Sequence, residues 1–199
     1  MAIISRGFAG KRREAGEKLP PGQYLTTDFP VLSAGPTPKV SLDEWEFTID
    51  EGDAVLRRWD WKTFRDLPIE SITVDIHCVT RWSKFETAWE GVSLDTLLGD
   101  VKTDAAYVVA RSYGGYTTNM PLDDLRGQKA WIAFRYDNAD LAPEHGGPAR
   151  LLIPHLYFWK SAKWVRGITL TSENKPGFWE GLGYHNYGDP WREQRYWGD

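Results

Sequence analysis

The interpretation of this chain begins with residues 75–86, which read Asp-Ile-His-Cys-Val-Thr-Arg-Trp-Ser-Lys-Phe-Glu. An apolar strand pattern in residues 72–76 leads into this stretch and delivers Cys78, the only cysteine of the 199 residues, to a Thr-Arg-Trp-Ser loop. A lone cysteine in this position has two interpretations. Free cysteine is among the most buried residue types, so Cys78 can be a small core residue. Alternatively, its thiolate can bind a metal or attack a substrate.

The composition of the chain restricts its organisation and its partners. A length of 199 residues favours one domain, and a single cysteine rules out an intramolecular disulfide. The net charge of −4 argues against general affinity for nucleic acid or for an anionic membrane surface. No apolar run approaches the roughly 20 residues that cross a bilayer as a helix, so no membrane span is expected.

The N-terminal residues differ in character from the rest of the chain. Residues 1–23 carry glycine, proline and basic charge without periodicity, which predicts a flexible surface arm before a single domain over residues 24–199. Arg12 and Arg13 form the pair that begins a twin-arginine export signal, but the charged segment 14–18 follows in place of an apolar one. We therefore expect a cytoplasmic protein.

Hydrophobic periodicity predicts many short strands and few helices. Trp61, Phe64 and Leu67 have helical spacing that ends at Pro68, and Ser93 can cap a second short helix. This mixture predicts an α+β fold with mixed sheets, short helices and long irregular loops. Apolar or alternating segments predict strands at residues 45–50, 54–56, 72–76, 106–110, 130–134, 149–153 and 164–170.

A basic segment occupies residues 145–172. It contains no Asp or Glu, although the chain as a whole is acidic. Ammonium groups, the Ser161 hydroxyl and free backbone N–H groups can together hold a phosphate. An ordinary basic surface has the same composition, so charge alone leaves both interpretations open. The basic residues of the segment are Arg150, Lys160, Lys163 and Arg166.

The basic segment begins with the loop His145-Gly146-Gly147-Pro148. Glycine lets a backbone approach a ligand closely, although Gly-Gly-Pro is also common in turns. One cysteine and four scattered histidines do not offer the ligands of a structural zinc site. A cysteine nucleophile is conceivable, and its base would be His145, His155 or His185. No Gly-x-Gly-x-x-Gly or Walker sequence supports a dinucleotide or P-loop fold.

Three motifs follow one another along the chain: residues 77–83 with a helix at 94–98 behind them, residues 145–154, and residues 158–165. Their order and spacing, over roughly residues 40–190, resemble the molybdopterin-binding domain of the sulfite oxidase family. The closer resemblance is to the small bacterial branch of that family, typified by the catalytic subunit of the periplasmic methionine sulfoxide reductase. Three motifs in order are far more specific than any one of them.

This resemblance implies a sulfite-oxidase-type fold and a molybdenum-molybdopterin cofactor. Cys78 would be the thiolate ligand of molybdenum, a soft donor that ligation keeps deprotonated. His145 and Arg150 would hold the pterin and its phosphate, Ser112 would touch the pterin, and residues 161–163 would form the phosphate-cradling turn. The cofactor-binding residues implied in this way are His77, Cys78, Ser112, His145, Arg150, Lys160, Ser161, Ala162 and Lys163.

The resemblance also implies an activity, namely two-electron oxygen-atom transfer on a small oxyanion or a sulfoxide, with an unidentified electron-transfer partner. Arg81 and Arg111, with Cys78, are predicted to be catalytic, because cations stabilise negative charge on oxygen. Further candidates for the pocket wall are Tyr113, Tyr116 and His155. Two alternatives are a molybdopterin-binding module without turnover and a metal-free cysteine hydrolase.

Overall fold

The computed structural model describes residues 19–199. Most of the predicted arm, residues 1–23, lies outside the described residues. Of its described part, Pro20 and Gln23 are buried against the domain. In chain order the elements are β1 (Tyr24–Leu25), β2 (Glu46–Glu51), β3 (Ala54–Asp60), α1 (Trp61–Arg65), β4 (Glu70–His77), β5 (Trp82–Ser93), α2 (Leu94–Leu98), β6 (Tyr107–Ser112), β7 (Thr117–Pro121), β8 (Trp131–Tyr136), β9 (Ala139–Asp140), β10 (Arg150–Leu152) and β11 (Val165–Thr171).

The strands form two sheets. In the six-stranded sheet β5 pairs antiparallel with β4 and β8, and its first two residues pair in parallel with β1. In the five-stranded sheet the order is β3-β2-β11-β6-β7. Within the described part of this sheet, β11 pairs in parallel with β2 and the other pairs are antiparallel. Mixed sheets with short helices confirm the predicted α+β class.

Two clusters of buried side chains form the core. The larger one takes alternate residues of the second sheet, such as Phe47 and Ile49 of β2, and packs them against β8 and β10. The smaller one lies around the end of the β4–β5 hairpin and contains Cys78. None of the helices in residues 19–199 is long and apolar enough to cross a membrane.

Both predicted α-helices form, and a side chain caps each of them. Asp60 accepts a hydrogen bond from the N–H of Thr63 (2.8 Å) at the start of α1, which ends shortly before Pro68. Ser93 accepts one from the N–H of Thr96 (3.2 Å) at the start of α2. Because Ser93 is also the last residue of β5, this cap fixes the direction in which the chain leaves the sheet.

The loop that holds Cys78 is shorter than the sequence predicted. Residues 82 and 83 were expected in the loop, but they begin β5, so residues 78–81 alone connect β4 to β5. A β-bulge makes β5 difficult to recognise from the hydrophobic pattern of the sequence. Glu86 adopts a φ of 53°, and its N–H donates to the carboxylate of Asp75 (2.8 Å). The extra residue interrupts the alternation of apolar and polar side chains that reveals a strand.

Gly91 allows β5 to approach β8 closely. A Cβ at this position would lie 2.7 Å from the carbonyl oxygen of Ile132 and 2.9 Å from the Cα of Ala133. Both of these are backbone atoms of β8, so they cannot yield without separating the strands. The absence of a side chain at Gly91 therefore sets the spacing in the middle of the first sheet.

We expect Gly91→Ala to lower the free energy of unfolding by about 1–3 kcal/mol, the usual cost of overpacking. Gly181→Ala is the matched control, because a Cβ at Gly181 meets no atom within 4 Å and should change stability by less than about 0.5 kcal/mol. Urea unfolding of both variants measures the difference. Equal stability of the two variants would contradict the close approach of β5 and β8.

Candidate functional site

A cavity of about 530 Å³ lies beside the connection between β4 and β5. We call residues 78–81 the Cys78 turn and residues 29–38, which run along another wall, the strap. The turn between β6 and β7 and the basic segment complete the walls with residues 178–184. The aromatic residues of the wall are Phe29, Trp82, Tyr113, Tyr116, Phe158, Trp159, Trp164, Phe178, Trp179 and Tyr184.

The Cys78 turn is closed by its own backbone. The N–H of Cys78 donates to the carbonyl of Trp82 (2.8 Å), and the N–H of Arg81 donates to the carbonyl of Cys78 (3.0 Å). Arg81 adopts the left-handed conformation, with a φ of 76°. This conformation is uncommon for a residue with a side chain and is typical of a tight turn.

Groups from distant parts of the chain hold the same turn from behind. The side-chain amide of Gln23 donates to the carbonyl of Cys78 (3.0 Å). The guanidinium of Arg195 donates to the carbonyl of Val79 (2.7 Å), and the side chain of Arg195 is buried. The N–H of Tyr24 donates to the carbonyl of residue 81 (2.8 Å). These bonds fix the backbone on which Cys78 is presented.

Cys78 lines the cavity and is 8% exposed. Its sulfur accepts a hydrogen bond from the hydroxyl of Thr80 (3.1 Å). Burial raises the pKa of the Cys78 thiol, whereas the hydrogen bond from Thr80 and the positive charge of Arg195 lower it. Because burial is the largest of these effects, the sulfur needs a further positive partner to become a thiolate near neutral pH.

Arg150 lines the cavity from β10 and is 1% exposed. Its guanidinium donates to the carbonyls of His145 (2.7 Å) and Ser161 (2.7 Å) and lies 4.0 Å from the ring centre of Phe158. Burial lowers the pKa of Arg150 to about 9, so the group is still charged at pH 7. No carboxylate in residues 19–199 forms an ion pair with it. A buried charge without a counter-ion is costly.

Lys163 lines the cavity next to Arg150 and is half-buried. Its ammonium group donates to the carbonyls of Leu32 (2.7 Å) and Glu144 (2.6 Å), and so connects the strap to the basic segment. Burial and the charge of Arg150 lower the pKa of Lys163 to about 7, while the charges of Glu144 and Cys78 oppose this shift. Arg150 is thus charged at pH 7 and Lys163 about half protonated, and both share one cavity with the thiol.

The glycines of the His145-Gly146-Gly147-Pro148 loop approach protein and not the cavity. A Cβ on Gly146 would lie 3.0 Å from the Cα of Lys163, and one on Gly147 would lie 2.0 Å from the carbonyl oxygen of Leu141. The expectation that they bring backbone to a ligand stays a prediction. They bring the loop against the turn at Lys163. His145 itself stacks on Phe29 with 3.9 Å between ring centres, outside the cavity wall.

Three further residues of the predicted site, Ser112, Ser161 and Ala162, are buried. Ser161 and Ala162 line the cavity, and the hydroxyl of Ser161 accepts a hydrogen bond from the N–H of Ile153 (2.9 Å). Ser112 ends β6 beside the cavity-lining Tyr113. The hydroxyl of Ser112 and the Nδ1 atom of His145 are buried and have no hydrogen-bond partner in the described structure.

The structure does not bring Lys160 to the cavity. Its ammonium group is fully buried, lies 2.5 Å from a carboxylate oxygen of Glu180, and donates to the carbonyls of Asn119 (2.7 Å) and Asn186 (2.8 Å). Lys160 therefore neutralises a buried acid and leaves no free donor for a phosphate. The sequence interpretation missed this pairing because Glu180 lies outside the acid-free basic segment.

Arg81 and Arg111, the predicted catalytic cations, also lie outside the cavity wall. The left-handed turn leaves the Arg81 side chain exposed to solvent. Arg111 forms an ion pair with Asp50 and donates to the hydroxyl of Thr48 (2.8 Å) on the second sheet. Neither of them lines the cavity that contains Cys78, and their catalytic roles stay predictions.

Two predicted histidines are likewise outside the cavity wall. His77 is buried, bonds through its Nδ1 to the hydroxyl of Ser83 (2.8 Å), and has its pKa lowered to about 4 by burial. His155 pairs with Asp124 (3.1 Å). Tyr113 and Tyr116, in contrast, line the cavity as expected. Thr80, which the sequence interpretation overlooked, lines it as well.

Comparison with known proteins gives the family. A model described as the oxidoreductase molybdopterin binding domain matches residues 34–179. The chain is 42% identical to the "Uncharacterized oxidoreductase YuiH" of Bacillus subtilis over 197 residues, which cover 95% of this chain and 98% of that protein. It is 28% identical to a "Putative protein-methionine-sulfoxide reductase subunit YedZ1" of Azospira oryzae, over 84% of this chain and 66% of the relative.

The fold is similar to a chain in the crystal structure of the sulfane dehydrogenase SoxCD from Paracoccus pantotrophus, with a TM-score of 0.60 and 19% identity. The match covers 69% of this chain and 40% of that one. The cofactor expected from the three motifs is therefore the cofactor of the matched domain, molybdenum-molybdopterin. The chain belongs to the family of sulfite-oxidase-like oxidoreductases with a molybdopterin binding domain.

Proposed function

We propose that this oxidoreductase catalyses two-electron oxygen-atom transfer on a small substrate, with Cys78 as the thiolate ligand of molybdenum. One observation carries the proposal. A single cavity joins a buried thiol to two basic side chains, Arg150 and Lys163, which form no ion pair with a carboxylate of the described residues. This is the combination of groups that a phosphorylated, metal-bearing cofactor requires.

The residues around the cations fit a phosphorylated pterin. A phosphate placed between Arg150 and Lys163 would neutralise the buried charge of Arg150 and favour the protonated form of Lys163. The cavity-lining residues proposed to hold the cofactor are Arg150, Lys163, Cys78, Ser161 and Ala162. Ser112 and His145 lie outside the cavity wall, although the Ser112 hydroxyl and the His145 Nδ1 atom are buried without a partner among residues 19–199, and their contact with the pterin stays a prediction.

Cys78 has the chemistry of a soft-metal ligand. Its burial raises the pKa of the free thiol, and coordination to a cation would reverse that effect by stabilising the thiolate. When bound, the molybdenum centre supplies the two-electron redox chemistry. The chain presents the sulfur on a turn fixed from behind, in a cavity lined largely by aromatic side chains.

The cavity favours a sulfoxide over an oxyanion as substrate. Its two cations are the proposed phosphate ligands, and Arg81, Arg111 and His155 lie elsewhere, so the described wall keeps no cation for an anionic substrate. Ten aromatic side chains line the wall, and they suit a neutral molecule with an apolar substituent. The relatives include proteins described as methionine-sulfoxide reductase subunits, which agrees with this choice.

The cysteine-hydrolase alternative lacks its base. The sulfur of Cys78 is hydrogen-bonded to Thr80, and His145, His155 and His185 have other partners or stack elsewhere in the described structure. We also propose that the protein receives its electrons from a partner and that it is located in the cytoplasm.

The other alternative, a molybdopterin-binding module without turnover, is tested by the substrate experiment below.

Replacement of Cys78 should abolish activity and weaken metal binding. Purified wild-type protein from a host that makes the cofactor should contain about one molybdenum per chain, whereas Cys78→Ser and Cys78→Ala should lose turnover and retain the metal less well. Elemental analysis and the fluorescence of the released pterin measure metal and pterin separately. Full metal occupancy and activity in Cys78→Ala would show that another group binds the metal.

The substrate panel separates an enzyme from a carrier. With a reduced artificial electron donor, the loaded protein should turn over methyl aryl sulfoxides faster than nitrate or chlorate, and it should not oxidise sulfite at a comparable rate with an artificial acceptor. Preferential turnover of an oxyanion would contradict the argument from the aromatic wall. No turnover of any substrate by fully loaded protein would favour the binding module.

Arg150→Met should weaken cofactor retention by at least about tenfold, because a hydrogen bond to a charged group contributes about 1.5–3 kcal/mol. Arg65→Met is the matched control, since Arg65 lies over the ring of Phe134 (3.8 Å) much as Arg150 lies over Phe158, but outside the cavity. Pterin content after dialysis is the measurement. Equal pterin loss in both variants would point to a general stability effect.

A further inference from the structure

The Cys78 turn places a second side chain beside the sulfur. The hydroxyl of Thr80 lies 3.1 Å from Sγ of Cys78, and both residues line the cavity. A thiolate has no proton to give, so in the metal-bound state the hydroxyl must be the donor and the sulfur the acceptor. We propose that Thr80 is a positioning residue that raises the reduction potential of the metal through a hydrogen bond to the sulfur of Cys78. This proposal rests on the proposed role of Cys78 as the metal ligand.

The backbone, and not a chance rotamer, brings the hydroxyl to this position. The turn is closed between Cys78 and Trp82, and groups outside it hold the carbonyls of residues 78, 79 and 81. Thr80 is β-branched, which leaves its side chain few orientations on a fixed backbone. Although Thr80 is exposed to the cavity, its hydroxyl points at the sulfur at hydrogen-bond distance.

A hydrogen bond to a metal-bound sulfur has a predictable electronic effect. It withdraws electron density from the sulfur, so the sulfur donates less strongly to the metal. Weaker donation stabilises the reduced metal relative to the oxidised metal and raises the reduction potential. It also lowers the energy of the sulfur lone pairs, which moves sulfur-to-metal charge-transfer absorption to higher energy.

The test uses molybdenum-loaded protein and three variants. Thr80→Val removes the hydroxyl but keeps the branched shape, and Thr80→Ser keeps the hydroxyl. Thr73→Val is the control, because Thr73 is an exposed threonine on β4, outside the cavity wall. We expect Thr80→Val to shift the charge-transfer band to longer wavelength and the molybdenum midpoint potential to a more negative value. Thr80→Ser and Thr73→Val should resemble the wild type.

Each outcome decides between the proposals. A charge-transfer band that is present in the wild type and unchanged in Thr80→Val overturns the role of Thr80 and leaves Cys78 as ligand. Equal shifts in Thr80→Val and Thr80→Ser also overturn it, because the hydroxyl is then not the cause. A wild-type protein without the band, whose molybdenum survives Cys78→Ala, overturns the ligand assignment itself. Molybdenum content per chain, measured on every sample, separates these effects from loss of the metal.

Discussion

The guanidinium of Arg150 is a positive charge held inside the protein, and the arrangement of the site follows from it. Removing a cation from water is costly unless hydrogen bonds and an opposite charge replace the lost hydration. The carbonyls of His145 and Ser161 provide the hydrogen bonds, and in doing so they join the His-Gly-Gly-Pro loop to the turn at residues 161–163. In the proposed complex the phosphate of the cofactor supplies the opposite charge, so the buried guanidinium is neutralised only when the cofactor is bound.

Several parts of this arrangement are predictable from sequence because they rest on local patterns. The apolar run before Cys78 indicates a strand that ends before this cysteine. The sequence therefore predicts that Cys78 lies in the connection that follows the strand. The positions of Ser161 and Lys163 in the cavity wall agree with the prediction from the acid-free basic segment, although the charge alone fits an ordinary basic surface equally well. Three motifs in a fixed order indicate the family, since each of them alone has an ordinary structural explanation.

The remaining parts depend on tertiary contacts or on single dihedral angles. Lys160 and Lys163 look equivalent in the sequence, yet one of them meets Glu180 and the other faces the cavity. The left-handed conformation of Arg81 turns its side chain to solvent and leaves Thr80 beside the sulfur. A bulge at Glu86 conceals the longest strand of the described chain. No pattern of residue types contains this information.

The support behind the Cys78 turn has a consequence for how small a working fragment can be. The groups that hold the turn come from residues 23, 24 and 195, whereas the model of the family domain matches residues 34–179. A fragment cut to the family boundaries would keep the cysteine, the basic segment and most of both sheets. It would lose the donors that hold the Cys78 turn, so the part of the chain that supports this turn extends beyond the match to the family domain.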